Sequence, residues 1–262
     1  VSEPSRDSAS DAPLRLALHG ISKSYGGVRA IRNADFAIRA GTVHALVGEN
    51  GAGKSTLIKI VAGAERADAG TIEFDGVATT ISSTTDAIKL GVQTVYQEPQ
   101  LFPELSVAEN VFVGRELKKG IRVDWSAQAE QMHDLLSTVG LPDRVATVPV
   151  GDLSIAQQQQ VSIAKALAGD ATVLILDEPS AILTDAEIDV LFTVIRRLTA
   201  TGVAVIYISH RIDELFRIAD EVTVMRDGQT VATREIGELS VRQIVELMVG
   251  GEMSEARPGG AH

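Results

Sequence analysis

The spacing of apolar residues changes several times along the chain, and each change marks a segment. Leu14–Leu18 has the alternation of a half-buried strand, and a second strand-like run reaches through Phe36-Ala37-Ile38. Gly26-Gly27 between them predicts an antiparallel hairpin. Val43–Val47 is a short apolar run. A glycine-rich stretch, Gly48–Thr56, separates it from Leu57-Ile58-Lys59-Ile60-Val61, which has helical spacing. Thr71–Phe74, closed by Asp75-Gly76, and Gly91–Tyr96 read as further strands.

From about Gln97 to Gly169 the pattern is helical. Ser106 and Glu109 fit a capping box, in which each side chain serves the other residue's backbone N–H. Asp124 can cap a helix through Met132, Leu135, Leu136 and Val139, with Gly140 to end it and Pro142 beyond. Gln157–Leu167 is a second helix, closed by Gly169. Alternation then returns: Thr172–Leu176 a strand, Asp185–Thr199 a helix, Val203–Ile208 a strand and Ile212–Ile218 a helix. Glu221–Met225 and Gln229–Thr233 form a hairpin around Asp227-Gly228, and Val241–Val249 is a last helix. This order predicts an α/β fold: a mostly parallel sheet with helices on both faces, interrupted by a helical insert. One domain is expected over 14–250, between a polar leader, 1–13, and a Gly/Pro-containing tail, 251–262, both read as flexible.

Composition narrows the chemistry. The absence of cysteine excludes a disulfide framework, a thiolate metal site and a cysteine nucleophile. No apolar run approaches the ~18–20 residues of a membrane span, and the leader lacks the apolar core of a secretory signal. Lys and Arg total 24 against 35 Asp and Glu, a net charge of −11, which argues against a protein that coats nucleic acid. The expectation is a soluble chain.

Gly48-Glu49-Asn50-Gly51-Ala52-Gly53-Lys54-Ser55 satisfies G-x-x-x-x-G-K-[ST], with a strand before it and a helix after. Glycines let the backbone wrap a triphosphate, successive N–H groups point inward, and the helix N-terminus adds partial positive charge. Lys54 would reach the β- and γ-phosphates, Ser55 would ligate Mg²⁺, and Thr56 can donate to the α-phosphate. Val173-Leu-Ile-Leu176 delivers Asp177-Glu178 to the end of a buried strand, where α/β proteins bind ligands. One of these carboxylates can hold Mg²⁺. The next, Glu178, can polarise a water for attack on the γ-phosphate.

Four further segments complete a series. Gly151-Asp-Leu-Ser-Ile-Ala-Gln-Gln-Gln-Gln160 is similar to a Leu-Ser-Gly-Gly-Gln signature, and Val95-Tyr96-Gln97-Glu98 to a Q-loop. Asp177-Glu178-Pro179-Ser180-Ala181 is similar to a Walker B segment running into a D-loop, and Ile208-Ser209-His210 to a switch histidine. With the phosphate loop, and in the chain order phosphate loop, Q-loop, signature, Walker B and switch histidine, they make the chain resemble the nucleotide-binding subunit of an ATP-binding cassette (ABC) transporter, over about Leu14 to Val249. Two departures, Ile155-Ala156 in the signature and Thr184 where Asp is usual, resemble the monosaccharide-import branch.

The resemblance implies a P-loop NTPase fold, with a RecA-like core, an antiparallel β subdomain and a helical subdomain over about 97–169. It implies that two cassettes, expected as a homodimer, meet head to tail around ATP. Tyr25 would stack on adenine, and Gln97 would serve metal and attacking water. Asp177 would share the metal with Ser55, Glu178 would be the general base and His210 the γ-phosphate sensor. Ser154 and Gln157 would complete the partner's site. It further implies docking on a membrane permease at the cytoplasmic face, a periplasmic or extracellular sugar-binding protein as an indirect partner, and no nucleic acid. The alternatives are a soluble ABC ATPase acting on nucleic acid or ribosomes, an importer subunit for another solute, a small-molecule kinase, and a non-hydrolysing cassette. The acidic charge weighs against the first, Leu153–Gln157 against the kinase, and Glu178 with His210 against the last.

Overall fold

The strands expected from the short apolar runs pair into one sheet, in which Val43–Val47, Val173–Leu176 and Ala204–Ile208 are buried on both faces whereas Gln229–Glu235 is not buried. The computed structural model describes residues 12–250. The expected tail, and the leader up to residue 11, lie outside the described residues. Ala12 and Pro13 are held: their carbonyls accept from Arg39 Nη1 and from the Ala40 N–H, both at 2.9 Å.

The elements are β1 (Leu14–Tyr25), β2 (Val28–Arg39), β3 (Val43–Val47), α1 (Lys54–Val61), β4 (Ala69–Phe74), β5 (Val77–Thr79), α2 (Thr84–Lys89) and β6 (Val92–Val95). The helical insert follows, with α3 (Val107–Phe112), a small ribbon of β7 (Lys118–Lys119) and β8 (Arg122–Val123), α4 (Trp125–Val139) and α5 (Ile155–Leu167). The chain returns to the sheet with β9 (Val173–Asp177), α6 (Asp185–Ala200), β10 (Ala204–Ile208), α7 (Ile212–Ile218), β11 (Glu221–Arg226), β12 (Gln229–Glu235) and α8 (Val241–Val249).

The strand order is β5-β4-β1-β2-β12-β11-β3-β10-β9-β6. The run β11-β3-β10-β9-β6 is parallel, whereas β1 pairs antiparallel with β2 and β4. The antiparallel part is continuous with the parallel core through a parallel contact of β12 with β2 at Gln229 and Asn33. Alternation decides which face each residue covers. Val43, Ala45 and Val47 pack with Leu174, Leu176, Val205 and Tyr207 on one face, toward α6 and the insert. Leu46, Ile175, Ile206 and Ile208 pack on the other with Leu57 and Ile60 of α1 and Ile31 of β2. Each fully buried aliphatic side chain contributes about 1.5–3 kcal/mol.

Local signals read from the chain are present as hydrogen bonds. Ser106 and Glu109 form the reciprocal box at α3, Asp124 caps α4 through the Ala127 N–H, and Gly140 ends it at φ 77. Asp75 and Asp227, each followed by a glycine at φ 74, turn the two Asp-Gly hairpins. The helix placed at Gln157 begins two residues earlier, because Ser154 is its cap. Two of its glutamines, Gln159 and Gln160, are buried, and Gln160 Nε2 donates to the Val139 carbonyl at 2.6 Å, tying α5 to the end of α4. Helix α2 and strand β5 were not legible, α2 being six residues long with only Ala87 buried. Among the described residues, no helix is long and apolar enough to cross a membrane.

Candidate functional site

Parallel neighbours end at the same edge, and this brings distant sequence segments together. Leu46 of β3 is in register with Ile208 of β10, Ile208 with Asp177 of β9, and Leu176 with Val95 of β6. The loop 48–53, His210, Asp177-Glu178 and Gln97 therefore leave the carboxyl edge of four adjacent strands, in that spatial order. Open α/β sheets bind ligands at this edge.

The glycine-rich loop is pressed against its surroundings. A Cβ on Gly48 would stand 2.3 Å from the Met225 carbonyl oxygen. Gly53, at φ 101, would put one 2.9 Å from the Ala30 carbonyl oxygen of β2. Gly51 has open space at its Cα, and Ala52 closes the turn by donating to the Glu49 carbonyl at 3.1 Å. Helix α1 starts at Lys54 without a side-chain cap on Gly53. The first-turn N–H groups of Lys54, Ser55 and Thr56 have no intrahelical acceptor, so they are available to an anion. Glu49, Asn50 and Ser55 are exposed, and Thr56 is half-buried. Lys54 Nζ is held over the loop, donating to the carbonyls of Gly48 at 2.6 Å and Glu49 at 3.1 Å.

Charge couples this loop to the second strand end. Burial pushes the Lys54 ammonium below its ordinary value, and the Glu178 and Asp177 carboxylates oppose that shift. Burial likewise raises Asp177, with Lys54 opposing. The three groups therefore form one electrostatic cluster. Glu178 is the only non-aspartate, non-glycine residue with positive φ among the described residues, at φ 50. Such a conformation costs about 1–3 kcal/mol and persists where the surroundings impose it. Here the Glu178 N–H donates to the Ile208 carbonyl at 3.0 Å, and Oε2 lies 2.8 Å from His210 Nδ1.

A buried polar cluster behind this pair was not foreseen. Glu214 Oε2 accepts from Ser180 Oγ at 2.6 Å, Tyr207 OH at 2.7 Å and Ser209 Oγ at 3.3 Å, and Arg211 Nε lies 3.0 Å from Oε1. Burial pushes the Tyr207 phenol well up, which keeps it a donor. The legible signal was an acidic residue on the buried face of a short helix, beside Leu215 and Ile218.

The remaining candidates are placed differently. Gln97 is exposed just past β6, at the shared edge. Tyr25 ends β1 and is 42% exposed, with Lys23 Nζ 5.4 Å from its ring centroid. Its hairpin partner β2 carries the Ala30 carbonyl that abuts Gly53. Ser154 and Gln157 are not hydrogen-bonded to the loop of their own chain. They bond to each other as the capping box of α5, at 3.1 and 3.3 Å. Thr184 caps α6 as a hydroxyl: its N–H and Oγ1 both donate to Glu187 Oε2 at 2.8 Å, the second a bond that an acceptor-only Asp carboxylate could not donate.

The donor set fits Mg²⁺ with a nucleotide triphosphate. Ser55 and Asp177 offer hard oxygens beside a loop whose close backbone leaves no room for a Cβ at Gly48. No cluster of three or more metal-binding side chains occurs among the described residues. Mg²⁺ is commonly held by one or two protein oxygens, with phosphates and water completing its shell.

The family described as ABC transporter matches residues 31–181. The chain is 49% identical over 243 residues to a putative ribose/galactose/methyl galactoside import ATP-binding protein of Burkholderia ambifaria, covering 93% of this chain and 47% of that protein. It is 51% identical over 246 residues to a ribose import ATP-binding protein of Rubrobacter xylanophilus, covering 93% and 49%. The chain thus spans about half the length of the curated relatives it matches. Among solved structures, the ADP conformation of MJ1267, an ATP-binding cassette of an ABC transporter, superposes with a TM-score of 0.80 at 28% identity, over 90% of this chain and 99% of that one. A nucleotide-free ATP-binding cassette from an ABC transporter superposes at 0.78 with 25% identity, over 90% and 95%.

Proposed function

The chain belongs to the ABC transporter family, and from that premise we propose that it binds and hydrolyses ATP to power uptake of a small sugar through a permease. The observation that carries the reading is the single cluster of Lys54, Asp177, Glu178 and His210 at one sheet edge. The sugar rests on the relatives named for ribose and galactoside import.

In this reading the loop 48–53, the first turn of α1 and Lys54 hold the phosphates, with Thr56 at the α-phosphate and Tyr25 on the adenine. Ser55 and Asp177, with Gln97, would hold Mg²⁺, which supplies charge neutralisation at the phosphate oxygens. Glu178 accepts the proton of the attacking water, and His210, beside it, orients the carboxylate and contacts the γ-phosphate. Most of the acceleration in such a site comes from positioning and charge compensation. Ser154 and Gln157 face the nucleotide of a second cassette, most simply another copy of this chain. ATP that touches both copies favours the closed pair over the open one, and hydrolysis removes that preference. The helical region 97–169 docks on the permease at the cytoplasmic membrane face, and a sugar-binding protein delivers the solute outside.

The test is purification with the permease in vesicles, measuring phosphate release with and without ribose-loaded binding protein. Sugar-stimulated hydrolysis is expected, abolished by Lys54→Ala. Hydrolysis indifferent to ribose and galactosides would overturn the sugar assignment, and its complete absence the ATPase assignment.

A further inference from the structure

We propose that Glu214 is a positioning residue that sets the alignment of Glu178 against His210. The inference rests on the assignment of those two residues to hydrolysis. Glu214 is fully buried on α7, a helix that also buries Leu215 and Ile218. A carboxylate there costs desolvation that a leucine would avoid, so packing does not explain it. Its contacts give a different reason. Ser180, which donates to Oε2 at 2.6 Å, lies two residues past Glu178, and Pro179 between them has a fixed φ. Ser209, which donates at 3.3 Å, directly precedes His210, and its Oγ also accepts from the Arg211 N–H at 3.0 Å. One carboxylate oxygen thus ties together the two loops that carry Glu178 and His210, from neighbouring strands β9 and β10. Tyr207 OH, at 2.7 Å, fixes that oxygen against the sheet itself. The strained backbone of Glu178 needs an anchor of this kind, because a left-handed glutamate relaxes unless its flanks are held.

Glu214 touches no reacting atom, so its loss is expected in turnover and not in nucleotide binding. Glu214→Gln removes the charge and exchanges one acceptor oxygen, either the one facing three hydroxyls or the one facing the Arg211 guanidinium, for a donor amide. A displacement of about 1 Å in a reacting group can cost ~10²-fold, and kcat should fall on the order of 10- to 100-fold with ATP affinity unchanged. Glu214→Asp should restore part of the loss, and Ser180→Ala should lower kcat in the same way. In a Glu178→Gln background, Ser180→Ala should cause no further loss, because it acts through Glu178. If Glu214→Gln does not fold, Ser180→Ala decides the question by the same criteria. A fall in melting temperature with full kcat per nucleotide-bound molecule would reduce the cluster to a structural role and overturn the proposal. Wild-type hydrolysis by Glu178→Gln would instead indict the catalytic assignment, so the two failures are distinguishable.

Discussion

Replacing Glu178 by glutamine isolates the chemistry from the scaffold. The two side chains have the same shape, and the backbone at φ 50 is held from outside the side chain, by the bond to the Ile208 carbonyl and by Pro179 and Ser180. The amide oxygen can still accept from His210 Nδ1, so the 2.8 Å contact survives. What is lost is a group able to take a proton from water. General-base catalysis contributes about 10²–10⁴-fold, which at ~1.36 kcal/mol per decade is about 3–5 kcal/mol of barrier. Binding should move the other way. Asp177 and Glu178 together oppose the phosphates that Lys54 attracts, so removing one negative charge leaves ATP affinity equal or tighter. The assay is phosphate release under saturating Mg-ATP, alongside an ATP titration and size-exclusion chromatography, in which a nucleotide-trapped dimer should accumulate. Hydrolysis within a few-fold of wild type would refute the assignment of Glu178 as base.

Lys54→Ala removes charge-assisted hydrogen bonds of about 1.5–3 kcal/mol, so ATP affinity should weaken ~10- to 100-fold by calorimetry; unchanged affinity would count against the loop as the phosphate site. Burial holds the Asp177 carboxyl above its ordinary value, so the folded chain binds a proton that the unfolded chain has released. This contribution to stability is present below the ordinary aspartate pKa and is lost as pH rises through the raised one. Asp177→Asn should flatten that slope in melts of the nucleotide-free, chelated protein, raise its melting temperature at neutral pH, and abolish Mg²⁺-dependent hydrolysis. Ala156→Gly places a glycine in α5 at a cost of about 1 kcal/mol, a ~2–4 °C fall in melting temperature. Phosphate release should hold or rise, and a sharp loss would mean that the signature contact is tuned around the alanine methyl group.

The glycine-rich turn at 48–53 was legible because it is contiguous: glycines, lysine and hydroxyl sit on one turn whose backbone conformation those residues themselves permit. The strand and helix order was legible for a similar reason, since period and caps are local, as at Ser106-Glu109 and Asp124–Gly140. Short α2, with one buried side chain, had no period to read. The Ser154–Gln157 pair is chemically ambiguous along the chain, because a signature and a capping box share the same residues; in the structure they make the box. Glu214 stood out neither as a motif nor as a charge run, and its meaning came only from the hydroxyls packed onto it.

By itself, then, the amino-acid order determined most of the elements, the glycine-rich turn and the pair of carboxylates at a strand end, all of which depend on neighbours a few residues apart. The tertiary structure decided the rest. Lys54, Glu178 and His210 meet only because β10 lies between β3 and β9, an adjacency chosen by long-range burial on both faces of the sheet. No local spacing encodes that choice, because the free energy that selects it comes from side chains remote in sequence, such as those of Val43 and Leu174, whose strands both pair with Val205.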